Sequence, residues 1–204
     1  YSGEQIWAQH YPAVKPFSVE GRANWIIMGE RIFIHLRRFG VVAIERGRTL
    51  WSTRISALDF PQKIEFPIAK LLYHDEKLYM VTGVPFSCGA YGDGEYSGVL
   101  VVMDAKDGRI LKTLDYDGPS CDAIMTSDGT LIRYGCERSP GSTGAFRLFA
   151  YSTPALSELW VVGGGSSSLT HMENLFYYRE MDGIYARYIS SGRVAWKANA
   201  YSLY

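Results

Sequence analysis

The chain of 204 residues is long enough to form a substantial hydrophobic core. Its 21 basic and 21 acidic residues give a formal net charge of zero, so no overall field attracts nucleic acid or an anionic membrane. No apolar run reaches the roughly 18 residues of a membrane span, while 15 tyrosines, 5 tryptophans and 21 glycines are typical of an all-β protein with tight turns.

The chain opens with a short strand pattern at residues 1–8, which a proline-containing connector follows. The first complete unit, residues 23–53, alternates short apolar runs with turn residues. Gly29-Glu30 joins its first two runs, and Arg46-Gly47 joins its last two. Short β-branched runs separated by such turns predict four antiparallel strands linked by hairpins.

Three further units repeat this order, at residues 69–114, 121–162 and 168–198. In the second unit, Asp107-Gly108 closes a hairpin between two apolar runs. In the third unit, Asp128-Gly129 is a strong signal for a two-residue hairpin turn. A unit that recurs along a chain in this way determines the fold class.

Four-stranded units of roughly 40–50 residues are typical of β-propeller blades. We therefore predict an all-β, single-domain, propeller-like array over residues 1–204, with about four antiparallel blades and residues 1–8 as an extra outer strand. A β-sandwich with tryptophan-bearing hairpins is the alternative, but sandwiches do not repeat a four-strand unit in register. Because few propellers close with four blades, we expect a larger ring, completed by a longer chain or by a second copy.

Two hairpin sequences carry a resemblance to a known family. Residues 105–111 (Ala-Lys-Asp-Gly-Arg-Ile-Leu) and residues 47–51 (Gly-Arg-Thr-Leu-Trp) are similar to the A-x-D-x-x-T-G-x-x-x-W repeat of PQQ-type, or quinoprotein-type, β-propellers. In that family, the tryptophan of the outer strand docks between neighbouring blades. The resemblance implies structural docking roles for these residues: Trp7, Trp51, Trp160, Trp196, Gly47, Gly108 and Gly192.

The five copies of this pattern, counting the partial copy at residues 1–8, are not equally complete. The second unit keeps the turn glycine at Gly108 but carries Lys112 at the tryptophan position. The third unit keeps Trp160 and lacks the glycine. A glycine admits positive φ in the turn, and a flat indole fills the wedge between two twisted sheets.

The two longest loops of the predicted blades run over residues 83–98 and 135–144. Blade topology places them on one face of adjacent blades, which we call the long-loop face. Loops longer than about 12–15 residues are typically functional or disordered, and the first one combines aromatic residues with glycines, as recognition loops do. A mobile loop without a ligand is the alternative. The candidate binding residues of this face are Phe86, Tyr91, Asp93, Glu95, Tyr96, Arg138, Arg37 and Arg38.

The three cysteines, Cys88, Cys121 and Cys136, fall on this same face. Pairing around Asp128-Gly129 predicts that Cys121 lies opposite Cys136, with Cα atoms about 5.5 Å apart, which permits a disulfide. Cys88 with either of the other two is the competing pair, and three separate thiols are the remaining alternative. One disulfide would favour an extracytoplasmic location, periplasmic or secreted.

The sequence contains no convergent set of nucleophile, base and metal ligands, and we predict neither a cofactor nor a metal site. We expect a non-catalytic scaffold that binds a protein or glycan partner through the long-loop face, within a larger complex. The resemblance also implies a second reading, a fragment of a quinone-dependent dehydrogenase, although its usual calcium and quinone ligands are not identifiable here. A component of an extracellular filament, coat or virion is the third reading. Since the chain begins at Tyr1, we expect it to be processed or partial.

Overall fold

The computed structural model describes residues 25–36, 40–55, 68–83, 97–118, 120–137, 145–164, 168–180 and 182–199. These residues contain sixteen β-strands in four separate four-stranded sheets. Within each sheet, the strands pair antiparallel and in chain order, so each sheet is one blade. The predicted all-β blade array is therefore confirmed, and the β-sandwich alternative is wrong. Among the described residues, no helix is long and apolar enough to cross a membrane.

The strands of each blade are numbered in chain order. Blade 1 consists of β1 Trp25–Met28, β2 Arg31–Leu36, β3 Gly40–Glu45 and β4 Arg48–Arg54. Blade 2 consists of β5 Ile68–His74, β6 Lys77–Gly83, β7 Ser97–Asp104 and β8 Ile110–Asp117. Blade 3 consists of β9 Ser120–Met125, β10 Thr130–Glu137, β11 Ala145–Ser152 and β12 Ser157–Gly163. Blade 4 consists of β13 Leu169–Met172, β14 Leu175–Glu180, β15 Gly183–Tyr188 and β16 Val194–Asn199.

The core of the array lies between the blades. Phe33, Leu78 and Val101 are buried between blades 1 and 2, and similar apolar clusters occupy the next two interfaces. The third strand of blade 1 is buried from Gly40 to Ile44, and its Val41 and Ala43 side chains belong to the core between blades 1 and 2. The outer strand β4 is mostly exposed, which explains its polar sequence.

The outer hairpin of every blade contains one irregularity in its register. The shift follows Ala43 in blade 1, Val102 in blade 2, Ala150 in blade 3 and Ala186 in blade 4. A β-bulge increases the local twist of a strand pair and re-aims the side chains beside it. The same bulge at the same place in four sheets shows that the blades are structural repeats.

The predicted register of the β9–β10 hairpin is wrong. Leu131 pairs with Met125, because the turn extends from Thr126 to Gly129 instead of comprising only two residues. The Thr126 hydroxyl stabilises the longer turn by accepting a hydrogen bond of 2.9 Å from the backbone N–H of Thr130.

The register change separates the two cysteines that were expected to lie opposite each other. A bulge after Tyr134 places Gly135 opposite Ser120, so Cys121 lies at the bulge and is not the register partner of Cys136. On its other side, Cys136 pairs with Phe146 of β11. Cys88 lies outside the described residues. The disulfide remains a prediction that this register no longer supports.

Candidate functional site

The turns between the first and second strands of a blade lie beside the turns between its third and fourth strands. In blade 2, the N–H of Ala105 donates a hydrogen bond of 3.0 Å to the carbonyl of Glu76. In blade 4, the N–H of Ile189 donates one of 2.9 Å to the carbonyl of Asn174. We call this the turn face. Because the strands are antiparallel, the ends of β6 and β10 and the starts of β7 and β11 lie on the opposite face.

That opposite face is the long-loop face predicted from the sequence. All eight of its candidate binding residues lie outside the described residues: Phe86, Tyr91, Asp93, Glu95, Tyr96, Arg138, Arg37 and Arg38. The structure does describe the strands on which the two loops stand. These strands belong to the adjacent blades 2 and 3, where β9 packs against β5 and β6.

A buried arginine lies between blades 2 and 3, toward the long-loop face. Arg133 is 1% exposed, and its guanidinium carbon lies 3.9 Å from the ring centroid of Tyr116 and 4.0 Å from that of Phe149. Among the described residues, its Nε and Nη1 atoms have no hydrogen-bond partner. Two aromatic faces therefore take the place of an anionic partner. Sequence reasoning missed this residue, although it is a lone charge in the apolar run of β10.

Tyr116 holds this interface together from blade 2. Its hydroxyl donates a hydrogen bond to the carbonyl of Thr82, next to the end of β6. Its ring covers Gly98, where a Cβ would lie 2.1 Å from the ring atom Cε2. Burial raises the pKa of Tyr116 to about 12, so the phenol remains a neutral donor.

Asp122 connects three blades from the innermost strand of blade 3. Its Oδ1 lies 2.5 Å from Nζ of Lys70 in blade 2, and its Oδ2 accepts a hydrogen bond of 2.9 Å from the N–H of Leu169 in blade 4. The Asp122 side chain is 11% exposed, so solvent screens these contacts weakly. The framework beneath the long-loop face is therefore tied together across both interfaces of blade 3.

Trp51 of blade 1 packs on the outer turn of blade 2. Its Nε1 donates a hydrogen bond of 3.1 Å to the carbonyl of Ala105. Its indole covers Gly108, where a Cβ would lie 2.4 Å from Cε3 of Trp51. Gly108 has a φ of +74°, so both the conformation and the close approach require glycine there.

The same contact recurs between blades 3 and 4. Trp160 donates from Nε1 to the carbonyl of Ile189 at 2.8 Å and covers Gly192, whose φ is +66°. Between blades 2 and 3, Lys112 occupies the tryptophan position and donates from Nζ to the carbonyl of Ala155. An amine on a long side chain therefore reaches the same kind of turn carbonyl as an indole N–H does.

Of the remaining docking candidates, Gly47 and Trp196 show no such contact with a neighbouring blade among the described residues. Gly47 has a φ of +77° in a two-residue turn, where the neighbouring Arg46 forms an ion pair with Glu30 at 2.6 Å. Trp196 is 45% exposed and contacts Tyr177 of its own blade at a ring separation of 5.9 Å. Trp7 lies outside the described residues.

A cavity of about 450 Å³ opens on the turn face between blades 1 and 2. Its aromatic side consists of Phe33, which is fully buried, and Tyr73, whose ring lies 6.2 Å from the Phe33 ring. Its polar side includes Arg31 and Glu45, which form an ion pair of 2.9 Å. We name it the turn-face cavity. The sequence had pointed to the other face.

Elsewhere in the described part of the chain, no group of three or more histidine, cysteine, aspartate or glutamate side chains is arranged to hold a metal ion. One histidine stands out by its burial. His35 of β2 is 8% exposed, and burial lowers its pKa to about 4.

No protein-family model and no curated protein matches this chain. Solved structures do match. Quinohemoprotein alcohol dehydrogenase from Comamonas testosteroni is similar with a TM-score of 0.61 at 9% identity, over 86% of this chain and 34% of that chain. Europium-containing methanol dehydrogenase is similar with a TM-score of 0.53 at 13% identity, over 86% of this chain and 41% of that one. The computationally designed Ika8 protein is similar with a TM-score of 0.57 at 15% identity, over 85% and 48%.

This chain spans less than half the length of each of these three proteins. At such low identity, the similarity concerns the fold. It agrees with the four sheets, their common bulge and the indoles that dock on neighbouring turns. The chain therefore has a β-propeller fold, similar to that of these proteins, as the repeated four-strand units of its sequence predicted.

Proposed function

We propose that this protein is a non-catalytic propeller scaffold that binds a protein or glycan partner through its long-loop face, within a larger assembly. The observation that supports this most is topological. The strands that lead into and out of residues 84–96 and 138–144 belong to adjacent blades and end on the same face. Two long connections thus start from neighbouring points of one surface.

The framework under that surface is suited to holding such connections in place. Tyr116, Arg133 and Phe149 stack across the interface of blades 2 and 3, and Tyr116 lies next to the end of β8. The hydroxyl of Ser120 donates to the carbonyl of Tyr134 at 3.3 Å in the same region. Binding sites are commonly loops carried by a rigid scaffold, because the scaffold reduces the entropy lost on binding.

The experiment replaces residues 85–95 with a glycine-serine linker of equal length. The control variant replaces Glu173-Asn174, the turn between β13 and β14 on the opposite face, with Asn-Gly. We expect wild type and control to retain the same partners in affinity capture from cell extracts and the same glycans of more than two sugar units on a printed array, while the loop variant loses them with an unchanged melting temperature. If all three proteins retained the same ligands, the long-loop face would not be the binding surface.

A fragment of a quinone-dependent dehydrogenase is the second candidate, because the fold is similar to that of quinohemoprotein alcohol dehydrogenase. This candidate requires the chain to bind a quinone. Titration with pyrroloquinoline quinone and calcium, followed by absorbance, separates the two candidates. We expect no saturable spectral change, whereas a saturable change would favour the dehydrogenase fragment.

We also propose an extracytoplasmic location, which rests on the three cysteines and an expected single disulfide, formed by Cys88 with Cys121 or Cys136 now that the register of β9 and β10 disfavours the pair Cys121–Cys136. Alkylation of the unfolded, unreduced protein followed by mass spectrometry counts the free thiols. One alkylated cysteine is the expected result, and three would remove the basis for this location.

A further inference from the structure

The turn-face cavity exists because a small residue occupies a position that is filled elsewhere. Ala105 and Ile189 are equivalent: each accepts a hydrogen bond from a docking tryptophan, and each donates its N–H to the inner turn of its own blade. Ile189 is 3% exposed and belongs to the core between blades 3 and 4. Ala105 lacks the carbon atoms that would fill the same space, and it lines the cavity instead.

The cavity has the dimensions and the floor of a small-molecule site. Its volume of about 450 Å³ falls within the roughly 300–1,000 Å³ of ligand pockets. The ring of Phe33 is 1% exposed and stacks at an interplanar angle of 23° with Tyr73, so the half-buried Tyr73 is the aromatic residue that presents accessible surface to the cavity. Such a surface favours a ligand with an apolar face.

The rim is polar, but it carries no uncompensated charge of one sign. Glu45 is paired with Arg31 at 2.9 Å, and Glu30 is paired with Arg46 at 2.6 Å. The remaining charged side chains of the lining are one carboxylate, Glu76, and one amine, Lys106. Balanced pairs attract neither cations nor anions strongly, yet they offer both donors and acceptors to hydroxyl groups.

We propose that the turn-face cavity binds a neutral saccharide of one or two sugar units. A pyranose ring has a C–H face that packs on an aromatic ring and a rim of hydroxyls that both donate and accept hydrogen bonds. This combination matches the aromatic side and the charge-balanced rim of the cavity. The proposal concerns the face opposite the long-loop face and does not depend on the function proposed there.

Saturation-transfer NMR and calorimetry test the intact chain with glucose, galactose, mannose, N-acetylglucosamine and cellobiose as probes. We expect at least one probe to bind in the millimolar range. Ala105→Ile fills the cavity as Ile189 does between blades 3 and 4, and it should weaken that binding at least tenfold. Ala155→Ile, at an exposed position on the turn face of blade 3, is the matched control and should bind like wild type.

Glu45→Gln tests the polar rim if Ala105→Ile fails to fold, because it keeps the size of the side chain and removes the ion pair with Arg31. It should weaken sugar binding several-fold at an unchanged melting temperature. The variant with residues 85–95 replaced should keep wild-type sugar affinity, which separates this proposal from that for the long-loop face. Absence of binding by every sugar, or equal binding by wild type and Ala105→Ile, would overturn the proposal. The proposal would also be overturned if tetramethylammonium or inorganic phosphate, but no sugar, bound to wild type and failed to bind to Ala105→Ile.

Discussion

Arg133 shows how one charged side chain can be held in the core of a propeller. Its guanidinium carbon lies 3.9 Å from the ring centroid of Tyr116 and 4.0 Å from that of Phe149. Cation–π contacts are worth about 2 kcal/mol or more when desolvated, but burying a charge without an acceptor costs several kcal/mol. The desolvation cost is therefore the larger effect.

The first prediction follows from this balance. Arg133→Met keeps an unbranched side chain between the rings and removes the buried charge, so the free energy of unfolding should stay unchanged or rise by about 1 kcal/mol. Arg133→Lys should lower it by at least about 1 kcal/mol, because an ammonium is more strongly hydrated and cannot stack as a plane. Urea denaturation measures both variants. A loss of stability in Arg133→Met greater than that in Arg133→Lys would contradict this account.

The second prediction concerns the dependence of stability on pH. Burial lowers the pKa of His35 to about 4 in the fold, against the ordinary histidine value of 6.5. Between these values the unfolded chain binds a proton that the folded chain does not, so stability falls as the pH is lowered from about 6.5 to about 4. The loss attributable to His35 is at most about 3 kcal/mol. His35→Leu should flatten the pH profile of urea midpoints in this window, and an unaltered slope would exclude His35 as its origin.

At the scale of strands and turns, the outer hairpin of one blade makes a recurring contact with a turn of the next blade. Trp51 and Trp160 each place an indole N–H on a turn carbonyl of the next blade and cover a glycine with positive φ. Lys112 makes the corresponding polar contact without an indole. The carbonyl contact is thus common to all three described interfaces, while the aromatic packing is present in two of them.

The third prediction separates the hydrogen bond from the packing. Trp51→Phe keeps an aromatic ring beside Gly108 but leaves the carbonyl of Ala105 without its donor, so it should lower the free energy of unfolding by about 1 kcal/mol beyond the loss of ring area. Trp196→Phe is the matched control, since no hydrogen bond to the Trp196 indole is present among the described residues. Denaturant midpoints measure both, and an equal loss in the two variants would remove any special role for the docking bond.

The sequence predicted these elements well where local rules apply. The strand pattern, the turn residues at Arg46-Gly47 and Asp107-Gly108 and the recurring hairpin were enough to predict four blades. The β9–β10 register was missed because a side-chain hydrogen bond of Thr126 lengthens the turn. The turn-face cavity could not be predicted, since it depends on Ala105 and Ile189 being equivalent in space.

At the scale of the whole molecule, blade 4 differs from the other three blades. On one face of its strand β15, buried Ala186 lies between Ile184 and Tyr188, which are 38% and 42% exposed. The equivalent strands of blades 1 to 3 are buried over at least half of their length. Blades 2 and 3 each contact a described blade on both sides, whereas the only described neighbour of blade 4 is blade 3. Trp196 pairs with Ala186, just as Trp51 pairs with Ala43 and Trp160 pairs with Ala150. Trp196 therefore lies on the face of blade 4 that also carries Ile184 and Tyr188.

The last prediction is that this face of blade 4 is an association surface. In a solution of this chain alone, we expect it to bind a blade of a second copy. An exposed indole beside Ile184 and Tyr188 forms an apolar patch of the kind that marks an interaction surface. Sedimentation velocity should show concentration-dependent association, and Trp196→Lys should abolish it without lowering the melting temperature. Leu159→Lys, which changes a 49% exposed residue on the outer strand of blade 3, should associate like wild type. A wild-type chain that stays monomeric at every concentration, or association that survives Trp196→Lys, would mean that the exposed indole is not a docking residue for a second copy.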